Sequence, residues 1–230
     1  MKKELKIFLL LGPILSFSSL GSELNLILTD HSRNHEKVLY GDDNREEIFS
    51  STNPLYQKLA LSTAALIPNQ YIHQTQNNLF QIVANTLVND FAFCPYERFS
   101  QQITAAECSG FLVGEDLLLT AGHCVENKGR RKGSCPFNSS WVFNFRMLSE
   151  NQDTFFVEPD DIYTCKEVVE SQQTEKHDYA LIRLDRAALK FTPLELERKN
   201  NLKKGTPLFM VGHPLGIPSN PNPHISGPHL

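Results

Sequence analysis

The sequence predicts an all-β fold and, from residue 108 onwards, a closed antiparallel β-barrel. Short apolar runs recur there at short intervals and are separated by polar turns, a pattern typical of small barrels. No segment between these runs has the length and apolar periodicity of a crossover helix, so a parallel sheet is not expected. The 230 residues carry a formal net charge of −4. A mildly acidic chain without a long basic run lacks the charge pattern of a protein that binds nucleic acid or an anionic membrane.

The first 22 residues have the pattern of a secretory signal peptide. Lys2, Lys3 and Lys6 give a positive start, and a short apolar run from Ile7 to Phe17 follows. That run is too short to span a bilayer, which takes about 20 apolar residues. A buried N-terminal helix is the alternative interpretation. We therefore expect a secreted or periplasmic protein without a membrane span, in which disulfides can form.

Residues 23–104 are mostly polar and predict a leader or propeptide-like segment together with the first strands. Asn53 and Pro54 are suited to cap and begin a helix. The segment from Ser62 to Ile67 can be helix or strand. Four apolar residues recur at helical spacing: Leu79, Ile82, Val83 and Leu87. This spacing predicts a second helix that packs one face into the core.

Residues 105–190 are predicted to form the first barrel. Gly110–Gly114 and Leu117–Thr120 are apolar runs on either side of an acidic pair, which indicates a hairpin. Aromatic residues at positions 141, 143 and 145 alternate with other residues, which is typical of a half-buried strand. Further strands are predicted at Ile162–Val169, Tyr179–Leu184 and Leu208–Val211.

Residues 191–230 are predicted to hold the stub of a second barrel and a disordered tail. After Gly216 the tail is rich in Pro, Asn, His, Ser and Gly. These residues favour loops, so we expect no strand there.

His123 is the first candidate for chemistry. It follows the strand predicted at Leu117–Thr120, after a turn of small residues that places the imidazole at the barrel rim. A general base that works near neutral pH requires a group such as imidazole, although a lone histidine is more often structural. Cys108 and Cys124 flank the hairpin, and a disulfide between them would brace the strand that carries His123.

Asp178 is the second candidate, because it begins the strand predicted at Tyr179–Leu184. A carboxylate at the start of a buried strand requires a partner. The imidazole of His123 would be that partner, and the hydrogen bond would fix its tautomer. A solvated aspartate at a strand end is the alternative. The adjacent His177 is a rival base, but no braced turn surrounds it.

Three stretches around these residues resemble the trypsin-like serine peptidases: Cys108–Gly114, Leu119–Cys124 and Asp178–Leu184. The resemblance is greatest to the bacterial glutamyl-endopeptidase-like group, and in weaker form it extends from Tyr40 to Gly216. It implies a chymotrypsin fold, hydrolysis of peptide bonds by acyl transfer and a polypeptide substrate, with no cofactor and no metal ion. It does not predict the oligomeric state.

The resemblance also implies roles for individual residues. His123 is then the general base and later the general acid, and Asp178 orients it. The family's nucleophile is a serine in a Gly-x-Ser-Gly loop of the second barrel, and no such motif follows Asp178. Ser226 precedes a glycine but lacks the expected turn, and Ser219 has less context still. We therefore expect a C-terminally truncated chain that is inactive as a peptidase, with a non-catalytic binding module or a non-functional fragment as alternatives.

The remaining cysteines allow one further pair. Cys135 and Cys165 flank the aromatic strand and can form a disulfide, which leaves Cys94 without a partner. A zinc site made of Cys124, Cys135 and His123 is the rival interpretation. It lacks the paired short spacings of a structural zinc site.

Overall fold

The computed structural model describes residues 45–125, 134–199, 202–203, 205–206 and 208–222. The predicted signal peptide and the candidate Ser226 lie outside these residues. No helix in the described part of the chain is both long and apolar enough to cross a membrane.

Strands dominate the described residues, as the sequence predicts. They are β1 (Thr63–Pro68), β2 (Ile72–Gln74), β3 (Phe80–Ile82), β4 (Cys108–Leu112), β5 (Leu117–Thr120), β6 (Ser139–Phe143), β7 (Phe155–Val157), β8 (Ile162–Tyr163), β9 (Cys165–Gln173), β10 (Asp178–Leu184), β11 (Met210–Gly212) and β12 (Asn220–Asn222). Two short α-helices accompany them, α1 (Pro54–Ala60) and α2 (Leu87–Phe91). The all-β prediction is confirmed.

A curled antiparallel sheet of seven strands forms the barrel, in the order β8-β6-β1-β4-β5-β10-β9. The strands β8 and β9 lie at opposite edges of this order, yet only Thr164 separates them along the chain. The chain itself therefore joins the two edges, which curls the sheet towards closure. In the middle, β1 pairs with both β4 and β6. The mostly polar segment 23–104 thus contributes a central barrel strand.

Apolar side chains fill the barrel interior. Those of Trp141, Phe143, Leu112, Leu118 and Ile182 are completely buried there. Burial of this kind contributes roughly 1.5–3 kcal/mol for each large apolar side chain. The interior is therefore a packed core that holds β5 and β10, the two strands that lead to the candidate site, at a fixed spacing.

A second apolar cluster covers the outside of the barrel. A separate sheet in the order β2-β3-β7 contributes Ile82, Phe155 and Val157 to it, and Val142 of β6 is completely buried in it. The strand at residues 141–143 is therefore buried on both faces. The prediction of a half-buried strand is wrong, because the alternation along the chain does not reveal that a second sheet covers the outer face.

The helix predicted from the stripe at Leu79–Leu87 is also wrong. Residues Phe80–Ile82 form β3, which pairs with β2 and β7, and α2 begins only at Leu87. Ile82 is buried whereas Val83 is 46% exposed. That difference between neighbours follows the alternation of a strand, which the helical spacing of four apolar residues concealed.

The tail after Gly216 contains a strand that the sequence does not predict. Residues Asn220–Asn222 form β12 and pair with β11. Asparagine and proline are poor strand formers, so their intrinsic preferences do not favour a strand here. The strand forms because its backbone pairs with that of Met210–Gly212.

Candidate active site

Two neighbouring strands bring His123 and Asp178 to the same end of the barrel. The strand β5 ends at Thr120, and a 3₁₀ turn over Gly122–Cys124 follows it. The strand β10 begins at Asp178 and pairs with β5, with Ala180 opposite Thr120. Because the strands are antiparallel, the end of β5 and the start of β10 lie side by side.

The Asp178 carboxylate holds His123 at two points. The Nδ1 atom of His123 lies 2.7 Å from Oδ2 of Asp178, and the backbone N–H of His123 donates to Oδ1 over 2.9 Å. A carboxylate only accepts hydrogen bonds, so Nδ1 carries the proton and Nε2 carries the lone pair. The imidazole is thereby fixed in the tautomer that leaves Nε2 free to accept a proton.

The two side chains are open to solvent. Those of His123 and Asp178 are 55% and 44% exposed. The hydrogen bond from the His123 ring, followed by that from the His123 backbone N–H, lowers the pKa of Asp178 below its usual value. The carboxylate is therefore ionised at neutral pH. Asp178 therefore orients the ring at the surface, and burial is not what makes the pairing necessary.

Gly122 allows the turn to lie directly against β9. A Cβ atom at this position would overlap the carbonyl oxygen of Gln172 and lie 3.1 Å from Oδ1 of Asp178. The backbone N–H of Gly122 also helps to lower the pKa of Asp178. The sequence indicated only that this residue is small enough for a turn. Its contact with Gln172 depends on the pairing of β9 with β10, which the local sequence does not encode.

Disulfides brace this region as predicted. Cys108 is bonded to Cys124, which joins the start of β4 to the turn that carries His123, and Cys135 is bonded to Cys165. Cys94 is free and exposed. Both predicted pairs are confirmed.

The cysteine and histidine side chains that lie close together are not the three that the sequence analysis considered as a zinc site. Cys135 is bonded to Cys165, and the residues that gather are Cys108, Cys124 and His123, whose potential ligand atoms lie within 4.8 Å of one another. The two sulfur atoms of this group are bonded to each other. They are not thiolates in this state, and metal ligation by cysteine requires a thiolate.

The other candidates lie apart from this geometry. His177 lies in the turn between β9 and β10, where its backbone N–H donates to Oγ1 of Thr174 over 3.0 Å. Ser219 is 3% exposed, and its N–H donates to the carbonyl oxygen of Phe145. Among the described residues, no hydroxyl group is hydrogen-bonded to Nε2 of His123.

Neither of two surface pockets contains the pair. A cavity of about 240 Å³ is lined mainly by apolar residues of α1, β1, β4 and β11. A second, of about 330 Å³, lies beside β2, β3 and β8. Neither is lined by His123 or Asp178, so these residues present their polar atoms on an open rim.

A comparison with protein families identifies the chain segment that carries this geometry. A family model described as a trypsin-like peptidase domain matches residues 108–227, just over half of the chain. The match begins at Cys108 and includes both His123 and Asp178. A search of curated proteins found no match.

Proposed function

The chain belongs to the trypsin-like peptidase domain family, and we propose that it is a secreted serine endopeptidase of the glutamyl-endopeptidase-like group. In this proposal His123 is the general base and then the general acid, and Asp178 orients it. The 230 residues supply this pair without the nucleophile, so the chain by itself is inactive. The observation that carries the proposal is the two-point contact of Asp178 with the ring and the backbone of His123.

The proposed chemistry follows from the free ring nitrogen. Nε2 of His123 removes the proton from a serine hydroxyl as the hydroxyl oxygen attacks the peptide carbonyl. The ionised Asp178 stabilises the imidazolium that forms. Nε2 then returns the proton to the leaving amine, and water releases the acyl group by the same base catalysis. A preference for cleavage after glutamate rests on the resemblance alone.

Export is supported by the cysteine chemistry. Two disulfides are typical of proteins that mature in an oxidising compartment. The proposed export signal is residues 1–22. We also propose that β11 and β12 belong to the beginning of a second barrel, since they pair with each other and not with the seven-stranded sheet.

Labelling with a fluorophosphonate tests the claim about the nucleophile. This reagent modifies activated serine hydroxyls, so the 230-residue protein is expected to remain unlabelled. The labelled fraction is measured by intact-protein mass spectrometry. Stoichiometric modification of any serine in this form would refute the claim.

The roles of His123 and Asp178 require a form that contains a nucleophile. We would extend the chain with a Gly-x-Ser-Gly barrel, taken from the downstream coding sequence or fused from a glutamyl endopeptidase. Peptides with Glu or Gln before the scissile bond would be compared, and faster cleavage after Glu is expected. Asp178→Asn should lower kcat by about 10⁴-fold, because the wrong tautomer is then favoured.

His177→Ala is the matched control for this experiment, since it removes the imidazole of the residue that precedes Asp178 in the sequence. It should leave kcat close to the unsubstituted value. Equal losses in His177→Ala and His123→Ala would contradict the assignment of the base. Equal rates after Glu and Gln would contradict only the proposed subgroup.

A further inference from the structure

The disulfide next to the proposed base lies in a group with the composition of a metal site. Sγ of Cys108, Sγ of Cys124 and a ring nitrogen of His123 are within 4.8 Å of one another. Two sulfur ligands and one imidazole are a set that Zn²⁺ prefers. While the sulfurs are bonded to each other, they have no thiolate charge to offer.

After reduction, the two sulfurs would have to separate to the spacing that a tetrahedral ion requires, while each already lies within 4.8 Å of a ring nitrogen of His123. With Zn–S bonds of about 2.3 Å and Zn–N bonds of about 2.0 Å, neighbouring ligand atoms lie about 3.5–3.8 Å apart. Both cysteines are partly exposed and His123 is exposed. Rotation of the two cysteine side chains, with the ring of His123 left on Asp178, is the movement that would bring the three atoms around one ion.

Asp178 already occupies the place of an outer-shell partner. Metal-binding histidines usually donate their second ring N–H to a carboxylate, which fixes the ring and raises its basicity. Nδ1 of His123 makes this bond to Asp178 over 2.7 Å. The remaining nitrogen, Nε2, is then the one that is free to bind a metal ion.

We propose that reduction of the Cys108–Cys124 disulfide creates a site for one thiophilic divalent cation, held by the two sulfurs and Nε2 of His123. With a phosphine as reductant, the phosphorus attacks one sulfur, the S–S bond breaks and the other sulfur leaves as a thiolate. Water hydrolyses the adduct to the phosphine oxide and supplies the two protons of the thiols. Binding of Zn²⁺ or Co²⁺ then releases these two protons to solvent as the two metal–sulfur bonds form.

The site would also control the proposed base. This consequence rests on the proposed function, because it matters only if Nε2 accepts a proton from a nucleophile. A metal ion bound to Nε2 occupies the lone pair that proton transfer requires. The same imidazole therefore serves as a base when the disulfide is closed, and as a ligand when the disulfide is open and metal is present.

Titration with Co²⁺ tests the site without an activity assay. The protein would carry Cys94→Ser, which removes the exposed free thiol, and would be reduced with a phosphine under nitrogen. Thiolate-to-cobalt charge-transfer absorption is expected to saturate at one Co²⁺ per chain for this site. Zn²⁺ should displace the Co²⁺, and the oxidised protein should show no such absorption.

Matched variants separate this site from other thiols. Cys135→Ser with Cys165→Ser removes the other disulfide, which has no histidine in such a group among the described residues, and should preserve one Co²⁺ per chain. Cys108→Ser with Cys124→Ser should abolish the binding described here. In the variant without Cys135 and Cys165, Asp178→Asn should weaken Co²⁺ binding by about 10–100-fold, the usual effect of losing an outer-shell partner.

The Asp178 variant also distinguishes a folded site from chelation by an unfolded chain. Asp178 lies 55 residues from His123 in sequence, so it can influence the affinity only if the barrel persists after reduction. Circular dichroism would follow the fold in parallel. Co²⁺ affinity that is unchanged by Asp178→Asn and by His123→Ala would overturn the proposal, as would a failure of the reduced protein to bind Co²⁺.

Discussion

At the scale of single residues, one carboxylate does the positioning. Asp178 accepts from the ring of His123 and from its backbone N–H, so the rotamer of the ring and the path of the turn are fixed by the same group. Because both side chains are exposed, burial does not hold this arrangement. The turn that carries His123 is supported instead by its close contact with β9, and Gly122 makes that contact possible.

We predict that Gly122→Ala displaces the turn from β9. The added methyl group would overlap the carbonyl oxygen of Gln172, and backbone cannot rotate away as a side chain can. Overpacking of this kind costs about 1–3 kcal/mol in the free energy of unfolding, which chemical denaturation would measure. The strongly downfield proton resonance expected for Nδ1 of His123 should shift upfield or disappear.

Gly114→Ala is the control for this prediction. A Cβ atom there would lie 3.2 Å from Cβ of Leu117, a tight contact but not an overlap, and its three nearest atoms include no backbone atom. Its unfolding free energy and the His123 resonance should change little. If Gly122→Ala behaved in the same way, the contact with Gln172 would have no part in positioning the base.

The two residues of the pair could be chosen from the sequence, but the supporting contacts could not. His123 and Asp178 lie in local patterns, a strand followed by a small-residue turn and an acid at a strand start. The backbone carbonyl of Gln172 cannot be singled out from the sequence, because every residue has a backbone carbonyl group. The sulfur of Cys108 approaches His123 only through the three-dimensional arrangement of β4, β5 and the disulfide.

At the scale of elements, the start of α1 was predicted accurately, because a capping residue followed by proline is a specific signal for a helix start. Asn53 and Pro54 predicted the start of a helix, and α1 begins there, with Oδ1 of Asn53 accepting from the N–H of Leu55 over 3.0 Å. On the face of the helix, the ring of Tyr56 lies 4.4 Å from that of Phe209. This ring contact places α1 beside the residue that precedes β11.

We predict that Asn53→Ala destabilises the protein by about 1 kcal/mol, because the N–H of Leu55 loses its acceptor. Thermal unfolding would measure the change. Asn53→Asp retains an oxygen acceptor at the same place and should be close to neutral. A loss of stability in Asn53→Asp as large as in Asn53→Ala would indicate that the amide acts through some contact other than capping.

Periodicity alone was less reliable than capping. Four apolar residues at helical spacing between 79 and 87 predicted a helix, yet the backbone pairs in β3 because β2 and β7 lie on either side of it. Likewise β12 forms from Asn, Pro and Asn because β11 is adjacent. In both cases pairing with another strand decides the conformation, and the preferences of the segment's own residues do not contain that information.

At the scale of the whole molecule, the segment after β11 is fastened to the barrel by backbone contacts. The carbonyl oxygen of Gly216 accepts from the N–H groups of Ala105 and Ala106, each over 3.0 Å. Gly216 has φ of +82°, and a Cβ atom there would overlap the carbonyl oxygen of Ala106. Only glycine combines this backbone conformation with so close an approach.

His213 lies at the centre of this attachment. Its N–H donates to Oγ of Ser109 over 2.8 Å, its Nδ1–H donates to the carbonyl oxygen of Ile217 over 3.1 Å, and its ring stacks on Phe145. Nε2 is buried, with no hydrogen-bond partner among the described residues. A proton on Nε2 would therefore have no acceptor, and burial lowers the pKa of His213 from 6.5 to about 4.

This burial predicts that stability falls with acidification. In the unfolded chain His213 binds a proton below about pH 6.5, whereas in the folded protein it stays neutral until about pH 4. The unfolded state thus binds more protons between these values, so the free energy of unfolding decreases as the pH falls. The neutral His213 therefore contributes its full share to the free energy of unfolding above pH 6.5. This share, about 3 kcal/mol, is lost as the pH falls to about 4.

Urea unfolding between pH 4 and pH 7 measures this dependence, and two substitutions isolate its source. His213→Asn retains a donor for the carbonyl of Ile217 but cannot titrate, so the pH dependence should flatten by the amount assigned to His213, even though the loss of stacking on Phe145 lowers stability at every pH. His177→Asn removes an exposed imidazole and should leave the slope unchanged. A slope that survived His213→Asn would mean that carboxylates elsewhere cause it, and that the attachment of residues 213–217 to the barrel does not depend on a neutral imidazole.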